Sequence, residues 1–204
     1  MGFLKKLKKR GDHAARLAKR KEERRTEAAE ERQYFRARNE AERLYLVRER
    51  SRFLTQVAYV AAIRETFGFG AQRLLAVTQK AVLVGDCCLR DKMFTLKELR
   101  DQLELETGYD VPLDDVVKGE AFGLQQTKAA VDEVTIFYLW ALNDLYKMRK
   151  RRLARAYAAC EQVSKAFADD HTAICRKVQE IEDAGLRMHF NGYSAMELAK
   201  LIAG

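Results

Sequence analysis

Six positive charges fall within nine consecutive positions, at Lys147, Arg149, Lys150, Arg151, Arg152 and Arg155, and no acidic residue interrupts them. A solvated helix face ordinarily interleaves Glu with Lys and Arg. An uninterrupted basic run suits the phosphates of a nucleic acid instead, whose neutralisation releases condensed counterions. Both readings stand at this level: a phosphate-contacting surface, or a solvated face. A second basic run occupies Lys5, Lys6, Lys8, Lys9 and Arg10 and is continued by Arg16. Phe3, Leu4 and Leu7 are interspersed there, too few apolar side chains for firm membrane insertion, so a basic tail is expected. Lys6 also occupies the position where a myristoylation motif after Gly2 wants Ser or Thr.

The charge is unevenly distributed. Of a net +8 over 204 residues, residues 1–50 hold 17 Lys or Arg against 9 Asp or Glu, whereas residues 51–204 hold 21 of each sign. Such asymmetry points to a polyanionic partner, with DNA, RNA and an acidic membrane face as the chemistries to consider. The competing reading is a basic helix that serves solubility.

Catalytic and metal chemistry finds little to work with. Cys160, His171 and Cys175 could meet on a helix hairpin, with His171 and Cys175 at i, i+4, but zinc normally takes four ligands in tight pairs. Buried thiols are the ordinary alternative, and Cys87-Cys88 reads the same way. Asp169-Asp170-His171 fits a metal-dependent nuclease in composition and helix N-capping in position, and capping is favoured. His13, His171 and His189 accompany no nucleophile motif. Gly68 and Gly70 lack the Lys and Ser/Thr of a phosphate loop. No cofactor, no metal and no enzymatic activity are expected.

The elements that must position these residues are helical. A single proline, Pro112, is far fewer than strand-rich folds use at their turns. Residues 1–43 form the first expected division, a protruding basic helical arm: strong helix formers fill it, and no large apolar residue lies between Ala18 and Gln33. A first helical unit spans 44–110. Phe53, Val57, Val60 and Ile63 trace a helical stripe, and the helix should reverse at Phe67-Gly68-Phe69-Gly70, where two glycines can supply positive φ. Those aromatics read as a staple across the turn or as an exposed hot spot, the staple being favoured. Further helices follow at 71–84 and from the capping box Thr95-Leu96-Lys97-Glu98 to Gly108. A connector covers 111–126. The second unit, 127–204, opens with one long helix to about Phe167, with the basic run around its middle. It continues through a helix at 170–184 and ends in a helix opened by Ser194-Ala195-Met196-Glu197.

Offsetting the chain by 100 residues matches Phe67 with Phe167, Gln79 with Gln179 and Gly85 with Gly185, in an order shared by both units. This allows two repeated three-helix units; coincidental likeness between helical segments is the other reading. The most apolar stretch, Val134–Leu142, is too short to cross a bilayer, which takes about 20 residues. Without a signal-peptide core, the chain is expected in the cytoplasm with its thiols reduced.

The run Arg64-Glu65-Thr66-Phe67-Gly68-Phe69-Gly70-Ala71-Gln72-Arg73-Leu74, with Phe94–Leu99 and Glu104–Gly108 after it, resembles small helical proteins of unassigned function from phages and mobile elements of Gram-positive bacteria. The resemblance covers residues 63–108. It implies a mobile-element origin, a bacterial host cytoplasm and a helical fold, and no activity.

Together these features predict an all-α, multi-helix protein that binds nucleic acid or a nucleic-acid-bound protein without catalysis. An inhibitor of a host defence effector falls within that class. The alternative is a structural protein that forms homo-oligomers through its arm.

Overall fold

A computed structural model describes residues 39–113 and 120–203. The arm expected over residues 1–43, including Lys5, Lys6, Lys8, Lys9, Arg10 and Arg16, falls almost wholly outside them. The chain divides into two compact units, residues 1–46 and 47–204. In the first, the described residues 39–46 are helical, with Tyr45 and Leu46 largely exposed.

The protein is mostly helical. In the second unit, residues 47–67 (α1) lead to α2 (Ala71–Gly85), which ends in a π-helical turn, Asp86–Arg90. The order continues with α3 (Leu96–Thr107), α4 (Phe122–Tyr146), α5 (Lys150–Asp169) and α6 (Ala173–Asp183). A two-stranded hairpin follows, β1 (His189–Phe190) with β2 (Tyr193–Ser194), and then α7 (Ala195–Ala203). No described helix is long and apolar enough to cross a membrane.

The core is centred on α1 and α4. The stripe of Phe53, Val57, Val60 and Ile63 is buried, and so is every residue between Val57 and Ile63, because α1 is covered on several sides. In α4, residues 133–139 are all buried. The rings of Tyr59 and Tyr138 stack with centroids 5.2 Å apart, joining the two helices. Helix α4 also packs against α2, α3 and α5, and α6 packs against α7. Lys177 ties α6 to α1 through Glu65 at 2.7 Å.

A buried charge fixes the register of the central pair. Glu133, 5% exposed, receives both Arg48 and Arg52 from α1. Arg52 also meets Glu49 at 2.5 Å, and Glu49 accepts a hydrogen bond from Asn191 of the hairpin. Burial opposes the charge of Arg52, but its hydrogen bonds and attraction to the two glutamates prevail and raise its pKa.

Three helix limits follow from local capping, two by side chains and one by a glycine. Thr95 and Glu98 close a full capping box at the start of α3, and Gly108 ends that helix with φ +71°. Ser194 and Glu197 make the same reciprocal bonds before α7. The reversal after α1 uses only one of its two glycines in the left-handed region: Gly68 has φ +65°, whereas Gly70 is extended, at φ −77°, as the N-cap of α2.

One expectation is corrected. The long helix from 127 to about 167 is two helices, α4 and α5, and α4 begins earlier, at Phe122. At the break Lys147 takes φ 51° and its amide bonds the Asn143 carbonyl at 2.8 Å, an αL termination. A non-glycine residue in that region costs roughly 1–2 kcal/mol. The turn persists because it buries Met148 and directs Leu153 into the core. The hairpin adds to the expected helices without displacing one: Asn191 and Gly192 both have positive φ, the signature of a tight type I′ turn.

Candidate polyanion-binding corner

The break between α4 and α5 decides where the basic run goes. Instead of surrounding the middle of a helix, Arg149 becomes the N-cap of α5, and Lys150, Arg151 and Arg152 form its first turn. The amides of Arg152 and Leu153 bond back to the Arg149 carbonyl at 2.9 and 3.1 Å. No side chain caps this terminus, and its first turn holds no acidic residue. A helix start carries about half a positive charge from its aligned peptide dipoles. Four cationic side chains there oppose the dipole, whereas stability alone favours Asp or Glu.

All six residues of the run are exposed. Among the described residues Arg149, Lys150, Arg151, Arg152 and Arg155 form no ion pair. Lys147 lies 3.8 Å from Asp144, whose nearer cation is Lys80 at 2.6 Å. The hydrogen bond from Lys80, with the attraction of both lysines, holds the Asp144 carboxyl below its ordinary pKa. The Arg149 guanidinium donates to the backbone carbonyl of Glu106 in the last turn of α3, where the dipole favours a cation. The side chain of Glu106 is engaged by Asn143 at 2.7 Å.

The fold then adds aromatic surface. Arg155 lies over the Phe67 ring at 5.6 Å, and Arg73 over the Phe69 ring at the same distance. Phe67 and Phe69 are tilted against each other at 6.0 Å, and Phe69 meets Tyr146 edge-on at 4.8 Å. Phe69 is buried, so the staple reading fits it; Phe67 is half-buried and shows part of its ring. The turn after α1 and the basic run therefore form one surface, with guanidinium groups stacked on rings. Arg73 lies outside both basic runs of the sequence, and its only local signal is its place three residues beyond Gly70.

The other constellations stay apart. Cys160 is buried in α5, where desolvation pushes its thiol up to about 12. Cys175 is half-buried, and the Nδ1 of His171 lies 3.1 Å from the Phe167 carbonyl. Asp170 organises the turn into α6, accepting from the Thr172 hydroxyl at 2.6 Å, the Thr172 amide at 2.9 Å and Arg176 at 2.7 Å. Those bonds lower its pKa to about 2, the Thr172 hydroxyl contributing most. Among the described residues no group of three His, Cys, Asp or Glu side chains is placed to hold a metal ion.

Comparison with known proteins gives no matching family model, no similar curated protein and no solved structure of like fold.

Proposed function

We propose that the protein is a non-enzymatic binder of nucleic acid, or of a protein already carrying nucleic acid, and that it makes phosphate contacts through the corner at Lys147–Arg155. The observation that carries this reading is the placing of Arg149, Lys150, Arg151 and Arg152 at an uncapped helix start without a single acid. Such a terminus offers backbone N–H groups, a positive dipole end and exposed cations to one anion at once. Arg155 and Arg73, stacked on Phe67 and Phe69, extend the basic surface next to an aromatic ring that a base could cover. The basic arm and two repeated three-helix units belong to this proposal as its finer architecture. A phage or mobile-element origin, in the cytoplasm of a bacterial host, accords with the resemblance over residues 63–108. A small binder of this kind would block a nucleic-acid-guided defence effector by occupying its nucleic acid.

The test replaces Arg149, Arg151, Arg152 and Arg155 by Gln, which keeps helix propensity. Affinity for labelled DNA and RNA, read by anisotropy over a salt series, should fall alike for every sequence. The salt slope should shrink by roughly 0.7–0.9 for each phosphate no longer neutralised. A variant that binds nucleic acid as before but loses a protein partner would make the corner a protein-recognition surface. If neither changes, the corner is a solvated helix end.

One observation favours self-association, through α2 and not through the arm of the structural alternative. Leu75, Val82 and Leu83 of α2 are exposed, with Met93 and Phe94 in the loop beyond. An apolar strip of this kind suits a second protein surface. Sedimentation of Leu83→Lys beside the native chain decides whether a homo-oligomer covers it.

A further inference from the structure

A cleft of about 350 Å³ opens between α1, α4 and α5, on residues that the basic corner does not use. Tyr59 lines it, fully buried, and its hydroxyl, beside Thr135, makes no hydrogen bond of ordinary length. A buried hydroxyl left in that condition loses its hydration without compensation. Around it stand Thr55, Thr135 and Cys160, each 6% exposed or less. Thr55 donates its proton to the Ser51 carbonyl at 2.8 Å, so its oxygen is left to accept. Tyr157, tethered through its hydroxyl to the Pro112 carbonyl at 3.1 Å, lines another side with the apolar Val131. Charge enters only at the exposed mouth, with Glu161 and Lys165 one turn apart on α5.

We propose that this cleft binds an uncharged nucleobase, with the Tyr59 hydroxyl as its deepest hydrogen-bond partner. The buried part offers no formal charge, and an ion inserted there would be desolvated without a counter-ion. Hydroxyl groups both give and accept hydrogen bonds, which matches a ring carrying donors and acceptors side by side. The volume lies near the lower end of ligand pockets, roughly 300–1,000 Å³, which suits one heterocycle with its sugar at the charged mouth. Burial raises the pKa of the Tyr59 hydroxyl well above its ordinary value and that of the Cys160 thiol to about 12. Both groups therefore keep their protons at neutral pH, and the cleft recognises without reacting. The base could belong to a free nucleoside or to a bound single strand. The proposal is independent of the polyanion reading.

The test titrates adenosine, cytidine, guanosine and uridine separately into labelled protein and follows its amide resonances. At least one should saturate, shifting the amides of Thr135, Cys160 and Ser164. Tyr59→Phe keeps the ring and should weaken that binding at least about tenfold, the loss of one well-placed hydrogen bond. Without ligand, its melting temperature should stay level or rise, because the deleted hydroxyl made no hydrogen bond of ordinary length. Ala168→Leu, an exposed change at the mouth, should also block binding and leaves Tyr59 intact. Displacement of the nucleoside by a single strand of about ten nucleotides assigns the base to a bound strand; no displacement assigns it to a free nucleoside. The four-Gln variant of the basic corner should bind nucleosides as the native chain does. The proposal is overturned if none of the four nucleosides saturates, if Tyr59→Phe or Ala168→Leu binds normally, or if Tyr59→Phe melts lower without ligand.

Discussion

Gly68 and Gly70 stand two residues apart in the same reversal, and the same substitution should act on them with opposite sign. Gly68 has φ +65° and a built Cβ would meet nothing within 4 Å, so only backbone strain opposes a side chain there. For an L-residue that strain is roughly 1–2 kcal/mol. Gly70 is extended, at φ −77° and ψ 171°, also with open space around it, and it is the N-cap of α2 without a side-chain cap. Serine at that position loses nothing sterically and restricts the unfolded chain, worth about 0.4–1 kcal/mol. It can also accept a hydrogen bond from an amide of the first turn, adding a few tenths over glycine. Gly68→Ser should therefore destabilise by about 1–2 kcal/mol and Gly70→Ser should stabilise by about 0.5–1 kcal/mol. Urea unfolding of the three proteins, compared through midpoints at constant slope, resolves that gap. Equal shifts, or a neutral Gly68→Ser, would refute the placing of the single left-handed residue and with it the presentation of Phe67 beneath Arg155.

Glu133→Gln should cost about 3 kcal/mol, the lower end for breaking a buried pair, since Arg48 and Arg52 keep 30% and 22% of their side chains in solvent. A loss below about 1 kcal/mol in urea unfolding would mean that water already screens the pair. Asp170 should titrate near 2 instead of at its ordinary 3.8, as its carboxyl carbon resonance will show. A carboxyl pKa depressed by folding stabilises the native state above the unfolded value. The contribution of Asp170 should therefore be complete above about pH 4 and fade as the pH falls towards 2; a midpoint at or above 3.8 contradicts it.

What can be read from the sequence is local. Thr95 with Glu98, Gly108, and Ser194 with Glu197 mark helix ends by bonds that close within a few residues, and the structure places those ends there. The stripe from Phe53 to Ile63 is legible for the same reason, being one face of one helix. The hairpin carries a local signal too: Asn191-Gly192 is a strong short-range turn pair, overshadowed by the capping box that follows it. The break after α4 carries none. Lys147, Met148 and Arg149 are all good helix formers, and what stops the helix is the burial of Met148 and Leu153 against distant residues. Glu133 likewise looks like the polar edge of an apolar stretch, because its partners Arg52 and Arg48 lie 81 and 85 positions away. The candidate site shares that difficulty, since Arg155 and Phe67 meet only through the tertiary fold.

On the polyanion proposal, the break bears on function as well as fold. Had α4 run on through residue 149, the six cations would have spread around a continuous helix, with neighbouring carbonyl–amide bonds intact and no helix end nearby. With the break, the same residues face a positively polarised terminus, an arrangement that lowers stability in the free protein. Stability and binding should then pull in opposite directions at this corner. Replacing Arg151 and Arg152 by Glu puts acids where the dipole favours them, so the unfolding midpoint should rise by an amount equivalent to roughly 0.5–2 kcal/mol. Nucleic-acid affinity should fall more steeply than in the four-Gln variant, because each Glu repels the phosphate that a Gln merely fails to attract. A rise in stability coupled to a loss of binding is the mark of residues kept for a partner at the expense of the fold. A solvated helix end has no such opposition, and the Glu variant would then gain stability and change nothing else.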